Sequence, residues 1–272
     1  MDIIKLVDSS FSHSILGYCS DFQSSSNFRW ERNEIDFNND IVVYTDSNLN
    51  KSINKNKSIA WLIEPIEINS SPYNFVVNNK DKFKIIFTYD KELLDKGTPF
   101  EFYPFGGCWI TPETQKLYDK TKNISIIASS KNYTSGHMLR HEIVNNYKNL
   151  FDIYGREYNP IEYKIEGLKD YRFSIVVENC KRDYWFTEKL IDCLRTGTIP
   201  IYWGCPSIGN FFNLEGFLTF NSIDELESIL NNADEELYNK KFKFVEENFN
   251  LSLNYILPDE IIYKKIKNNG KI

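Results

Sequence analysis

The chain has 272 residues, 42% of them hydrophobic, 15% aromatic and 26% charged, with no long block of like charge. This composition excludes a disordered chain and allows either one large α/β unit or two compact halves. The net charge is −6, so a general nucleic-acid binder is excluded and an anionic ligand has to be held by a few placed cations.

The amino-terminal MDIIKLVDSS has no basic segment leading into an apolar stretch, and no run approaches the length of a membrane span. The expectation is a cytoplasmic protein without signal peptide or transmembrane segment, with peripheral membrane association left open. The five Cys (Cys19, Cys108, Cys180, Cys193 and Cys205) are odd in number and widely spaced, with no CxxC pair and only three His. Neither a disulfide framework nor a metal site is expected, and the thiols are read as reduced.

Short runs rich in β-branched residues fall at 3–7, 41–44, 59–63 and 84–87, and again at 124–127, 151–154, 173–177 and 198–202. They are continuous rather than alternating, as buried parallel strands are, and their spacing suits βαβ crossovers. The Asn- and Ser-rich stretches 24–27 and 48–51 read as surface loops. Gly and Pro punctuate 104–112, and the strand series restarts near Asn123, which places a domain boundary near 115–122. The predicted architecture is α/β: two Rossmann-like halves facing across a cleft, residues 1–120 and 121–250, with 251–272 packing back over the joint.

Three stretches carry candidate chemistry. In the first half, Trp61-Leu62-Ile63-Glu64-Pro65-Ile66-Glu67 delivers Glu64 to a strand end, where a carboxylate can act as a general base; it is equally a plain strand-end acid. In the second, Ala128-Ser129-Ser130-Lys131 leaves a strand and is followed by a helix over 135–147 containing Arg140. Ser, Lys and Arg so placed suit a phosphate clamp, since Arg can bind two oxygens at once. His137 and His141 lie four apart on that helix without a third ligand nearby, and are read as surface residues.

The third stretch begins with the strand 173–177, which ends at Glu178-Asn179, where an open α/β sheet places its ligands. A helix starts near Thr187 and stops at Gly197. Phe186, Leu190, Cys193 and Leu194 share one face, expected to be buried, with Glu188, Asp192 and Arg195 on the other. Thr187-Glu188-Lys189 then occupy a first turn able to attract phosphate, with Glu188 free to accept from ribose hydroxyls. The ordinary alternative is that Asp183 or Thr187 caps the helix and Lys189 is solvated.

Residues 171–179 (YRFSIVVEN), 186–192 (FTEKLID) and 197–207 (GTIPIYWGCPS) closely resemble the donor domain of the α1,3/4-fucosyltransferases, glycosyltransferase family 10, particularly bacterial members. The resemblance extends upstream through Ala128-Ser129-Ser130, Arg140 and 152–156. It implies a GT-B fold and an inverting, metal-independent displacement that moves fucose from GDP-fucose to a glycan hydroxyl. It implies that Arg140, Glu188 and Lys189 hold the diphosphate and ribose, within a donor set of Ser129, Glu178, Asn179, Tyr184, Trp185 and Thr187. Two positions depart from the family pattern. Trp185-Phe186 precede the T-E-K triplet where Tyr-Val is usual, and no Ser separates Glu64 from Pro65, so the base is assigned to Glu64 with Glu67 as competitor. A different donor such as a UDP-sugar, or a non-catalytic nucleotide or glycan binder on the same scaffold, are the alternatives.

Overall fold

The computed structural model describes residues 1–9, 17 and 23–268. Cys19 and the last four residues of the predicted carboxy-terminal segment lie outside them. The chain folds as two compact units: Met1–Gly107 with Leu257–Ile272, and Cys108–Ile256.

The first unit holds a six-stranded, wholly parallel sheet in the order β2-β1-β3-β4-β5-β6. Its strands are β1 (Asp2–Val7), β2 (Phe28–Glu31), β3 (Val42–Thr45), β4 (Ser58–Trp61), β5 (Ile85–Thr88) and β6 (Phe100–Phe102). Every residue of β3, β4 and β5 is buried, which is why these strands read as continuous apolar runs. The edge strands β2 and β6 are short and only partly buried, and their sequences give no such run. The crossover helices are α1 (Ser71–Asn79) and α2 (Lys91–Leu94), the latter capped by Asp90, whose side chain accepts from Leu93 N–H at 3.0 Å.

The second unit holds a five-stranded parallel sheet, order β11-β10-β9-β7-β8. It is built from β7 (Lys122–Ile127), β8 (Asp152–Tyr154), β9 (Tyr171–Val177), β10 (Ile199–Trp203) and β11 (Leu218–Thr219). The helices are α3 (Ser135–Tyr147), α4 (Glu188–Leu194), α5 (Ile223–Asn232) and α6 (Glu235–Ser252). Phe173, Ile175 and Val177 of β9 pack on one side with Ile124, Ile126, Ile199, Ile201, Val144 and Val245. Val176 packs on the other with Phe186, Leu190, Leu194 and Tyr202. From β7 the chain turns first to β8 and then, by β9, to the opposite side, so the strand order reverses at β7. The carboxyl ends of β7 and β9 therefore flank a crevice of the kind in which doubly wound sheets place ligands.

The structure moves the division of the chain from the predicted 120/121 to Gly107/Cys108. The Gly- and Pro-rich loop is less a linker than an anchored strap: Cys108 and Ile110 are buried in the α4 core, and Trp109 N–H donates to Asp192 Oδ1 at 2.6 Å. At the other end, α6 stays with the second unit through Tyr238 and Val245, while the final helix, α7 (Pro258–Asn268), belongs to the first. There Tyr263 stacks on Phe28 with ring centroids 4.8 Å apart, and Asp259 Oδ1 accepts from Trp30 Nε1 at 2.6 Å.

No helix among the described residues is long and apolar enough to cross a membrane. Cys108, Cys180, Cys193 and Cys205 are buried thiols.

Candidate functional site

The crevice at the β7 and β9 ends is a cavity of about 290 Å³ within the second unit. Ile127, Ala128 and Ser129 reach it from β7 and the loop that follows, Val176, Val177 and Asn179 from β9, and His137 and Arg140 from α3. Glu188, Lys189 and Asp192 of α4 and Lys164 of a 3-10 turn complete the polar wall. Of the predicted donor residues, Ser129, Arg140, Asn179, Glu188 and Lys189 thus meet around one space.

Helix α3 is aimed at the cavity by its start. Thr134 caps it, accepting from His137 N–H at 3.3 Å, and Gly136 N–H donates to the Asn179 carbonyl at 3.0 Å. A Cβ on Gly136 would lie 1.8 Å from the Glu178 carbonyl oxygen, so only glycine lets the helix come this close to the end of β9. One turn on, Arg140 is buried; its Nε donates to the Gly136 carbonyl at 3.3 Å and one terminal nitrogen to Asn179 Oδ1 at 2.9 Å. Among the described residues no carboxylate comes within ion-pairing distance of it. Burial lowers its pKa, and the charges of Glu178 and Glu188 partly offset this.

Glu178 and Thr187 do not line the cavity; they brace the turn that does. Glu178 is fully buried, its Oε1 accepting Thr187 N–H at 2.8 Å and its Oε2 accepting Thr187 O–H at 2.7 Å. Burial raises its pKa, with Lys189 opposing at 3.9 Å. Thr187 in turn caps α4 by accepting from Lys189 N–H at 3.3 Å. Thr187 is thus the cap of α4, while Glu188 and Lys189 beside it turn to the cavity. Lys189 Nζ stands 3.3 Å from Glu188 Oε1. Burial raises the Glu188 pKa, but Lys189 and then Lys164 outweigh it and bring the carboxyl down to about 2.

The expected polar outer face of α4 is corrected: Asp192 and Arg195 are both buried. Arg195 bonds the Phe249 carbonyl at 2.6 Å and Gln115 Oε1 at 3.1 Å. Asp192 lines the cavity, held by Trp109 N–H and by Lys164 Nζ at 3.0 Å. A helix packed between its sheet, the 108–116 strap and α6 has no solvent face, and each buried charge needs its own partner. Burial raises the Asp192 pKa and Lys164 opposes it. Replacing Lys164 by Met strands this carboxylate and is expected to cost ~3 kcal/mol of stability, read as a lower denaturation midpoint. Adding Asp192→Asn should recover most of the loss; no recovery would show that Lys164 acts elsewhere.

Lys164, Asp192 and His137 were not selected as site residues by sequence reasoning. His137, expected at the surface, is buried and lines the cavity, its Nδ1 paired with the Thr134 hydroxyl. Burial, reinforced by Arg140, Lys189, Lys131 and His141, pushes its pKa down to about 4, so the ring is neutral at pH 7. His141 instead meets the Lys131 carbonyl at 3.0 Å. Among the described residues no group of three or more His, Cys, Asp and Glu is placed to hold a metal ion.

Tyr184 and Trp185 stand apart from the cavity lining. Tyr184 has φ +61 and donates its N–H to Ser207 Oγ at 2.8 Å, while Trp185 is buried. In the first unit Glu64 lies three residues beyond β4 and is half-buried. Its N–H donates to Asp46 Oδ2 at 3.3 Å and its carbonyl accepts from Tyr73 O–H at 2.9 Å. Glu67 is exposed.

Two parallel-sheet units, one with a cation-lined cavity at its strand-order reversal, make a GT-B fold. The model of glycosyltransferase family 10 (fucosyltransferase), carboxy-terminal part, matches residues 117–258, and the chain belongs to this family. It is 40% identical over 68 residues to the α-(1,3)-fucosyltransferase FucT of Helicobacter pylori, a match covering 24% of this chain and 14% of that protein. The match thus spans about a seventh of the relative's length. An α1,3-fucosyltransferase crystallised with GDP superposes with a TM-score of 0.57 at 16% identity, covering 93% of this chain and 89% of that one. One crystallised with GDP-fucose gives 0.53 at 19% identity, covering 79% and 72%.

Proposed function

We propose that the protein is a glycosyltransferase that moves fucose from GDP-fucose to a hydroxyl of a glycan acceptor, with inversion. The observation that carries the reading is the pair of cations, Arg140 and Lys189, on one cavity with the ionised Glu188. The two cations neutralise the diphosphate, Glu188 accepts from ribose hydroxyls, and Ile127, Ala128 and Leu168 offer apolar surface to a base. Asn179 orients Arg140, and Ser129 adds a hydroxyl donor at the end of β7. Tyr184, Trp185 and Thr187 serve the donor indirectly, by shaping the approach to the T-E-K turn.

In a single displacement the acceptor oxygen bonds to C1 of the sugar as the C1–O bond to the β-phosphate breaks. The electron pair leaves on GDP, where Arg140 and Lys189 stabilise the charge, and the acceptor proton passes to a carboxylate. Glu64 is assigned that role, with Glu67 as competitor; the Glu64 backbone is held by Asp46 and Tyr73.

The test is incubation with a panel of nucleotide sugars, following donor consumption with and without mixed glycan acceptors. Turnover of GDP-fucose above UDP- and other GDP-sugars is expected. Glu64→Gln should abolish acceptor-dependent turnover while leaving donor binding intact, and Glu67→Gln should change neither. Preference for a UDP-sugar, or tight GDP-sugar binding with no turnover under any condition, would replace this reading.

A further inference from the structure

His137 is the group in the cavity that the transfer scheme leaves unused. Its side chain is only 3% exposed and lines the cavity, yet the one hydrogen bond of its ring among the described residues is from Nδ1 to the Thr134 hydroxyl. Nε2 makes no hydrogen bond among the described residues. The Tyr133 ring packs beside the imidazole with centroids 4.6 Å apart.

The charges around it are unbalanced. Arg140 and His141 face it from α3, Lys131 from the loop after β7 and Lys189 from α4. The acidic groups, Glu178 at the end of β9 and Glu188 and Asp192 on α4, are engaged with Thr187, Lys189, Lys164 and the Trp109 N–H. These neighbouring charges oppose a further positive charge on the ring. A bound diphosphate reverses the sign of the local field, and the ring then gains both a counter-ion and a hydrogen-bond acceptor. The Thr134 hydroxyl suits both states, since it can donate to a neutral Nδ1 or accept from a protonated one.

We propose that His137 is a ligand of the donor diphosphate through Nε2, and that it takes up a proton when the nucleotide sugar binds. The inference rests on the donor site proposed above. It makes donor affinity rise as pH falls, in a cavity where the two fixed cations alone give no such dependence.

The probe is GDP-fucose, whose diphosphate carries no ionisation near neutrality, unlike GDP, whose terminal phosphate titrates at about pH 6. Calorimetric titration in buffers of different ionisation enthalpy is expected to show proton uptake at about pH 6, with affinity roughly tenfold greater at about pH 5 than at about pH 7. His137→Gln keeps an amide N–H near the Nε2 position but has no proton to exchange. It should retain binding and lose the uptake, which separates His137 from Glu178. Histidine-labelled NMR of the unaltered protein reads the same event without a variant, because the chain has only three His. With GDP-fucose bound, the His137 resonance should titrate at or above about pH 6.

Binding without proton uptake, uptake that persists in His137→Gln, or a ring that stays neutral at about pH 5 in the complex would overturn the role of His137 and leave the donor site standing. Failure to bind any nucleotide sugar at any pH would overturn both.

Discussion

Arg140→Met is expected to leave the fold at least as stable as the parent while lowering GDP-fucose turnover at least about a hundredfold. The guanidinium is buried against two neutral acceptors, the Gly136 carbonyl and Asn179 Oδ1, and has no ion-pair partner among the described residues. Holding a cation in that way costs on the order of several kcal/mol before any ligand arrives. Methionine fills much of the same volume without charge, so the unliganded protein loses hydrogen bonds but also loses a desolvation penalty. On the proposed reading, the donor site loses an Arg, a side chain whose fork can grip two diphosphate oxygens at once. Thermal melts with and without GDP-fucose check both halves: the ligand should raise the midpoint of the parent and not of the variant. A midpoint several degrees lower with turnover preserved would show Arg140 to be a structural residue.

Gly136→Ala is the second large effect, and its sign runs against helix propensity. At an ordinary helical position alanine is better than glycine by roughly 0.5–1 kcal/mol. Here the new methyl would sit 1.8 Å from the Glu178 carbonyl oxygen and 2.9 Å from the Asn179 carbonyl carbon. These are backbone atoms at the end of a central strand and cannot swing aside. The start of α3 has to retreat, breaking the Gly136 N–H bond to Asn179 and displacing Arg140, which lies one turn further along. A loss of about 3 kcal/mol or more is expected, roughly 6 to 12 °C in the unfolding midpoint, with donor binding lost as well. An unchanged or higher midpoint would mean that α3 tolerates a shift and that its close approach to β9 does not define the cavity.

The two substitutions separate what the sequence makes legible from what it does not. Arg140 is visible as a cation one turn into a helix that follows a strand with a polar end. Its lack of an ion-pair partner is not, because that depends on which groups the sheet brings near it. Gly136 carries no local signal: it sits in a helix without a positive φ, and the reason for it is an atom 42 positions away in sequence.

The same division runs through the rest of the chain. Buried parallel strands announce themselves by continuous apolar runs, so the central strands of both sheets were readable and the short, half-buried β2, β6 and β11 were not. The T-E-K turn was readable as a helix start, since Thr187 has the side chain of a cap and Gly197 the φ of +70 that ends the helix. The burial of Asp192 and Arg195 was not, because helical periodicity reports one apolar stripe and α4 is enclosed on its other faces by the 108–116 strap, Lys164 and α6. The strap itself has a loop's composition, and only its packing shows that Cys108, Ile110 and Trp109 already belong to the second unit.

By itself, then, the sequence determined the α/β class, the central strands and the identity of the charged groups at the β9–α4 turn, all of which follow from local periodicity, capping and side-chain chemistry. Tertiary structure decided which charges share the cavity. His137 and Arg140 come from α3, Lys189 and Asp192 from α4 and Lys164 from a 3-10 turn, and their burial and pairing depend on the strand-order reversal at β7, a property of how the sheet assembles rather than of any segment within it.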